Sequence, residues 1–312
     1  MDLEITKSDG TSFLLSDYDI YIDDFIVGSI EIESNYGTVE GSNRRIDYGA
    51  THGVRNIRTP FHLKAHDLLD YPLLRDTLYG LVLDTESFFI RELRRPKFLT
   101  YDFVDITESA LGVDGQRKWS EDSKNAYIGG KRYLVRLQNT FDIEQVENDG
   151  EGELNFETTE LPYAESIGTT QDIQRNGINA NDELWGFGMG LIADDESLIY
   201  THTGTSFRIF NAGNVAVHPY EQTLKITIDN VRGSSSYLQL RNNTTGDAFR
   251  TTEAVSGSQT IVLDGPNVTS NGTQYYRKTN RQFITLAPGW NDFTITDASS
   301  ARVAFDFPFY YK

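Results

Sequence analysis

The 312-residue sequence contains no cysteine, only two methionines and only eight prolines. Without cysteine there is no disulfide framework, no thiol nucleophile and no thiolate-bound zinc. Such a chain is equally suited to reducing and oxidising surroundings. No apolar run approaches the length of a membrane span, so membrane insertion is not expected. The opening MDLEITKSDG is charged and has no apolar h-region, so no secretory leader is expected either. The Asn-x-Ser/Thr matches at Asn242, Asn243, Asn267 and Asn271 are accordingly read as chance.

Positive charge is also scarce. Lys and Arg number 28 against 46 Asp and Glu, a net charge of −18. Residues 1–165 carry 17 basic against 32 acidic residues, a net of −15, which leaves −3 for the remainder. A surface of this sign does not grip phosphates. It suits a wall that nucleic acid passes without sticking.

What the chain has in quantity is strand pattern. DYDIYIDD, SIEIES, KRYLVRLQ, GELNFETT, SFRIF, TLKITIDN, SYLQLRN and TIVLDG alternate with period two between turn residues. The last twenty-nine residues hold seven Phe, Trp or Tyr and read as packed strand, with RVAFDFPFYY an edge strand because Pro308 cannot donate to a ladder. Short antiparallel strands at this spacing imply sandwiches. One helix is expected in HDLLDYPLLRDTLYGL, with Asp70 as cap, Pro72 in the first turn and Gly80 as a left-handed C-terminal residue. Leu74 and Leu78 share its inner face, with Leu73 and Leu81 close by. The polar stretch IGTTQDIQRNGINANDE reads as a connector. The expected domains are therefore 1–165 and 184–312, joined by 166–183.

Catalytic constellations do not assemble. His62 and His66 have the i, i+4 spacing of helix-borne metal ligands, yet Leu63 stands where a zinc protease needs Glu. Carboxylates at Asp23–Asp24 and Asp194–Glu196 read as turn residues rather than a glycosidase pair. GFGMG (186–190) has the wrong spacing for a dinucleotide fingerprint. No cofactor and no enzymatic activity is expected. The basic cluster RELRRPK offers Arg91, Arg94, Arg95 and Lys97 as contacts to carboxylates of a neighbouring copy. Such a chain is suited to head-to-tail association that closes into a ring. The long Gly-rich loop 35–58 is expected to protrude over a neighbour through Arg44, Arg45, Arg55 and Arg58. Trp290, after a Pro-Gly turn, is read as a core plug. The competing reading makes Trp290 and the Tyr275–Tyr276 pair a sugar-stacking platform, in which case the protein would be a carbohydrate-binding module for cell-wall glycans.

Two segments, FRIFNAGNVAVHPYEQTLKITI (207–228) and LAPGWNDFTITDASSARVAFDFPFYY (286–311), resemble the C-terminal domain of siphophage distal tail proteins. The matching positions are Asn211, Gly213, Pro219, Pro288, Gly289 and Asn291. DYDIYIDDFIVGSIEIESNYGTVEG, YPLLRDTLYGLV and GKRYLVRLQNTFDIEQVENDGEGELNFETTELPYAES are similar, in that order, to the family's ring-forming domain. The versions in staphylococcal siphophages are the most similar, and the longer connector is a departure. The resemblance implies a mainly β protein with two domains. The first would be a ring-forming β-sandwich with one packed helix and an extended hairpin, the second a galectin-like sandwich. It further implies a hexameric baseplate hub in the virion, made in the host cytoplasm. Its partners would be the tail tube, tape measure, tail-tip or lysin, and receptor-binding proteins, and DNA would pass through its channel.

Overall fold

The computed structural model describes residues 1–41, 43–94, 129–138, 140–178, 184–186, 188–192, 195 and 197–312. The protein is mainly β, and its chain divides into two units, Met1–Pro162 and Tyr163–Lys312.

In the first unit the elements run β1 (Asp2–Thr6), β2 (Ser12–Leu14), β3 (Ile20–Ile22), β4 (Ile26–Thr38), β5 (Arg45–Lys64), α1 (Asp70–Val82), β6 (Phe88–Leu93), β7 (Lys131–Leu137), β8 (Glu144–Val146) and β9 (Asp149–Thr158). All pairings are antiparallel, in the order β2-β1-β6-β7-β9-β5-β3, with β4 on β5 and β8 on β9. The sheet curls, so that β1, next to the β2 end, and β3 at the other end bring Leu3, Ile5, Ile20 and Ile22 into one core with Phe61, Phe88 and Phe156. Helix α1 closes that core with Tyr71, Leu78 and Val82. A three-turn helix is marginal in water and is held here by this packing.

The helix boundaries differ from the sequence reading. Asp67, not Asp70, accepts from the N–H groups of Leu69 and Asp70, at 2.7 and 3.0 Å. Gly80 lies inside the helix with open space around it, and the helix runs on to Val82. Leu73 points outward and is exposed. His62 lies on β5 rather than a helix, beside Asp23 at 2.7 Å. No cluster able to hold a metal ion occurs among the described residues.

The second unit begins with β10 (Ala164–Thr169) and α2 (Thr170–Asn176), continues through β11 (Thr201–Gly204), β12 (Ser206–Asn211), β13 (Lys225–Arg232), β14 (Gln239–Asn242), β15 (Ala248–Arg250), β16 (Ile261–Asp264), β17 (Asn267–Ser270) and β18 (Thr273–Gln274), and ends with β19 (Gly289–Thr296), β20 (Ser300–Asp306) and β21 (Pro308–Tyr311). One sheet has the order β11-β20-β13-β16-β17-β18, the other β12-β19-β14-β15. They face each other where Phe305 of the larger sheet packs on Phe293 and Phe207, at 4.9 and 6.1 Å, two cross-strand neighbours of the smaller sheet that stack on one another at 5.5 Å.

The expected connector is therefore not a linker over its first half. Its polar residues satisfy the C-terminal strand: Ser166 Oγ accepts from Phe309 N at 2.8 Å, and Thr170 Oγ1 accepts from Phe307 N and donates to Phe305 O. Thr169 N donates to Asp172 to cap α2. Among the described strands β21 pairs with β10 alone, as an edge strand should, yet all four of its residues are buried. Its other edge is covered by Val215, whose N–H donates to Tyr310 O.

Candidate assembly interface

The β4–β5 hairpin is the feature the first unit's core does not explain. Along β5 the core-facing alternation begins at Arg55, and every residue from Arg45 to His52 is exposed. Strand β4 pairs with β5 as far as Thr38↔Arg45, so a ribbon of eight residues a side, about 25 Å long, stands clear of the core. No described strand pairs with the outer edge of β4. Ile32 (67 % exposed), Tyr48 (65 %), Val39 (53 %) and Tyr36 (50 %) are presented to solvent on this ribbon. A two-stranded ribbon is marginal on its own, and apolar side chains on an open edge mark a pairing surface. Within the ribbon, Arg45 lies over the Tyr36 ring at 5.5 Å. Gly37 leaves room for the Tyr48 ring, which a Cβ there would meet at 2.5 Å.

The basic residues expected at a subunit interface have mixed fates. Arg44 and Arg45 are exposed at the ribbon's far end. Arg58, also exposed, lies 3.5 Å from Glu153. Arg55 is a correction: it is buried, its guanidinium 5.9 Å from the Tyr133 ring, and its Nε has no hydrogen-bond partner. The period-two alternation of β5 places position 55 on the core side, an alternation the glycines and polar residues of the loop conceal. Burial raises the Tyr133 hydroxyl above its ordinary pKa, which keeps it neutral beside this cation. Arg91 is likewise committed within the subunit. It faces Glu4 across β1–β6 in a 2.9 Å ion pair with both side chains largely buried. Arg94 bonds Glu92 and lies 3.8 Å from Asp24. Arg95 and Lys97 lie outside the described residues.

In the second unit the six pattern residues are structural. Asn291, fully buried, accepts from Ala287 N at 2.9 Å and Asn242 Nδ2 at 3.0 Å, and donates to the carbonyls of Ala287 and Gly289. It holds the turn in which Pro288 precedes Gly289 at φ +81°, a left-handed conformation that favours glycine. Asn211 donates to Val215 O and accepts from Gly213 N, both at 3.0 Å. Gly213 is pressed on the last strand: a Cβ there would lie 2.4 Å from Tyr310 O. Pro219 O touches Gly265, 3.1 Å from where a Cβ would stand.

The proposed sugar platform is redistributed. Trp290 is not a core plug. It lies half-buried on the outer face of the smaller sheet, against Phe210 at 5.0 Å, with the Arg208 guanidinium over its ring at 4.8 Å. The alternation Phe207-in, Arg208-out decides this, since Trp290 pairs with Phe210. Tyr275 is buried, donates to Glu253 and is pushed up to about 12 chiefly by burial. Tyr276 does remain at the surface, stacked on Phe283, which in turn meets the exposed Tyr220 at 4.8 Å. Phe283 and Tyr220 carry no sequence motif that separates them from core aromatics.

Residues 8–158 match the family of the phage tail protein RIFT-related domain. The fold is similar to the crystal structure of Dit (gp 19.1) of phage SPP1, a protein described as a paradigm of the hub adsorption apparatus in phages infecting Gram-positive hosts. The TM-score is 0.58 and the identity 11 %, with 98 % of this chain and 99 % of that one covered. The baseplate of phage P2, in its activated conformation with Ca, matches at a TM-score of 0.35 and 11 % identity, over 99 % of this chain and 97 % of that one. No match was found among curated proteins. Residues 8–158, just under half of the chain, thus match the RIFT-related domain of phage tail proteins, and the whole chain carries the fold seen in the SPP1 Dit protein.

Proposed function

We propose that the protein is a baseplate hub whose first unit associates with copies of itself, six in number, into a ring between the tail tube and the tail-tip protein. The second unit then anchors receptor-binding components. The observation that carries this reading is the exposed β4–β5 ribbon, with Ile32, Tyr36, Val39 and Tyr48 in solvent and an open strand edge. An interface of that kind is heterologous, because the ribbon of one copy meets a different surface on the next, and such contacts close into rings when the rotation allows. The match of residues 8–158 to a phage tail domain supports a structural role in the tail. Assembly takes place in the host cytoplasm, and the tape measure protein and tail-associated lysin are its further neighbours.

The acidic balance of the first half supports a channel lined with carboxylates, through which DNA passes without adhering. The test of association is the light-scattering mass of the full chain, alone and with its tail-tube neighbour, beside that of a Tyr36→Ser/Tyr48→Ser variant. Multimers for the wild type and monomers for the variant support the reading, whereas equal masses overturn the role of the ribbon.

A second reading rests on the Tyr220, Phe283 and Tyr276 rings, which give the second unit a surface on which a pyranose could stack. A glycan array with wild type and Tyr220→Ala separates it: binding lost in the variant supports a sugar site, and no binding by either removes it.

A further inference from the structure

On the surface of the second unit four rings follow one another in a row. His218 lies 5.6 Å from Tyr220, Tyr220 lies 4.8 Å from Phe283, and Phe283 lies 6.1 Å from Tyr276. Tyr220 is 59 % exposed and the other three are half-buried, so all four reach solvent. Apolar groups scattered singly over a surface need no explanation, but a contiguous run of them marks a contact site.

The row is carried by two loops, each fixed by its own hydrogen bonds. In the first, His218 N donates to the side chain of Gln222 at 2.7 Å and Gln222 N donates back to His218 O at 2.8 Å, with Gln222 itself buried. In the second, Asn280 ties the chain between Tyr276 and Phe283 to β15. Its Nδ2 donates to Ala248 O at 2.7 Å and its N–H to Arg250 O at 2.8 Å. Rings held in this way are oriented before a ligand arrives, which removes part of the ordering cost of binding.

Spacing and twist select the ligand. Each step along the row is close to the length of one pyranose, and successive ring planes are inclined by 31°, 70° and 25°. A flat polysaccharide crystal face needs coplanar rings, whereas a single chain can twist with these. A protein partner fits less well, because a standard interface engages about 20–30 residues a side and this row offers four side chains. The flanking polar groups suit hydroxyls. Tyr220 N donates to His218 Nδ1 at 3.3 Å, which leaves the proton of the neutral imidazole on Nε2, a donor without a protein partner among the described residues. Glu221, exposed beside Tyr220, is an acceptor, and Arg277, exposed beside Tyr276, is a further donor. Donors and acceptor together, with no excess of one sign, match an uncharged, hydroxyl-rich chain.

We infer that the row His218–Tyr220–Phe283–Tyr276 binds a single, uncharged, linear oligosaccharide chain, about three pyranoses of which stack along the rings. This rests on the sugar reading of the Tyr220, Phe283 and Tyr276 surface, and adds His218 together with the length and form of the ligand.

The test is a glycan array probed with the full-length protein and carrying neutral linear oligosaccharides of glucose, galactose, mannose and N-acetylglucosamine, from monomers to hexamers. Binding to the preferred series should rise at least about tenfold from monomer to trimer and level off beyond it, with insoluble cellulose left unbound. Tyr276→Ala removes an end ring, so the levelling should move to the dimer while the melting temperature stays at the wild-type value. Tyr220→Ala, in the middle of the row, should abolish the length dependence. Monomer bound as tightly as trimer, with binding lost in Tyr220→Ala, overturns the row and leaves a single-sugar surface standing. Length dependence that neither variant changes overturns the assignment to these rings. No binding to any glycan overturns this inference and the sugar reading together.

Discussion

Asn291 shows how single polar residues hold the second unit. Its amide completes four hydrogen bonds with no access to water. Asn291→Ala leaves those partners unsatisfied and should cost about 3 kcal/mol, lowering the melting temperature by roughly 10 °C in calorimetry. Asp297 works differently. Its carboxylate accepts from the N–H groups of Tyr237, Ser236 and Ser235, and these bonds hold its pKa well below the usual carboxylate range. A carboxylate depressed in the folded state contributes stability at pH values above its unfolded pKa, and that contribution is lost as the pH falls toward the folded value. Asp297→Asn should therefore lower the melting temperature at pH 7 and flatten the decline below about pH 4. An unchanged acid limb would show that another group dominates. Arg91 calls for a revised expectation. Because it is paired with Glu4 in a largely buried setting, Arg91→Glu should destabilise the first unit itself rather than only loosen its association. Thermal unfolding of the variant at a concentration where it is monomeric makes the distinction.

At the scale of elements, two glycines should respond with opposite sign. Gly213→Ala places a methyl against the backbone of Tyr310. It should cost about 3 kcal/mol by prying β21 from its seat. Gly80→Ala, in an open helical position, should raise the first unit's stability by about 1 kcal/mol. Denaturant midpoints for the two single variants test the pair. The same elements show what could be read from sequence. The alternation in FRIF, TLKITI and RVAFDFPFYY gives the second unit's strands directly, because a half-buried sheet imposes period two. The ribbon at 35–58 was legible as a protrusion from its glycines and mixed charge. Its inner boundary was not, since the switch to core-facing alternation at Arg55 is carried by an arginine, and arginine argues for the surface. Strand β10 and α2 read as a connector because their Ser and Thr side chains are chosen to bond the last strand's backbone, a purpose that exists only in three dimensions. Leu73, read as lying close to the helix's inner face, is exposed instead.

For the whole molecule, the charge partition and the exposed ribbon bear on the same conclusion. A first half at −15 repels its copies at long range. In the proposed ring, association would therefore have to come from desolvated apolar contact, with local ion pairs setting register. The second unit, at −4 over Tyr163–Lys312, has its own core, and its C-terminal strand is buried within it. The acidic first half should show no gel shift with duplex DNA at physiological salt, and tight binding would remove the channel reading.

The central claim is that identical copies close side by side through the first unit. Negative-stain imaging of the full chain, assembled with its tail-tube neighbour, tests it most directly. The account predicts annular particles with a central hole and six-fold rotational symmetry. Solitary particles, or open filaments that never close, would contradict it.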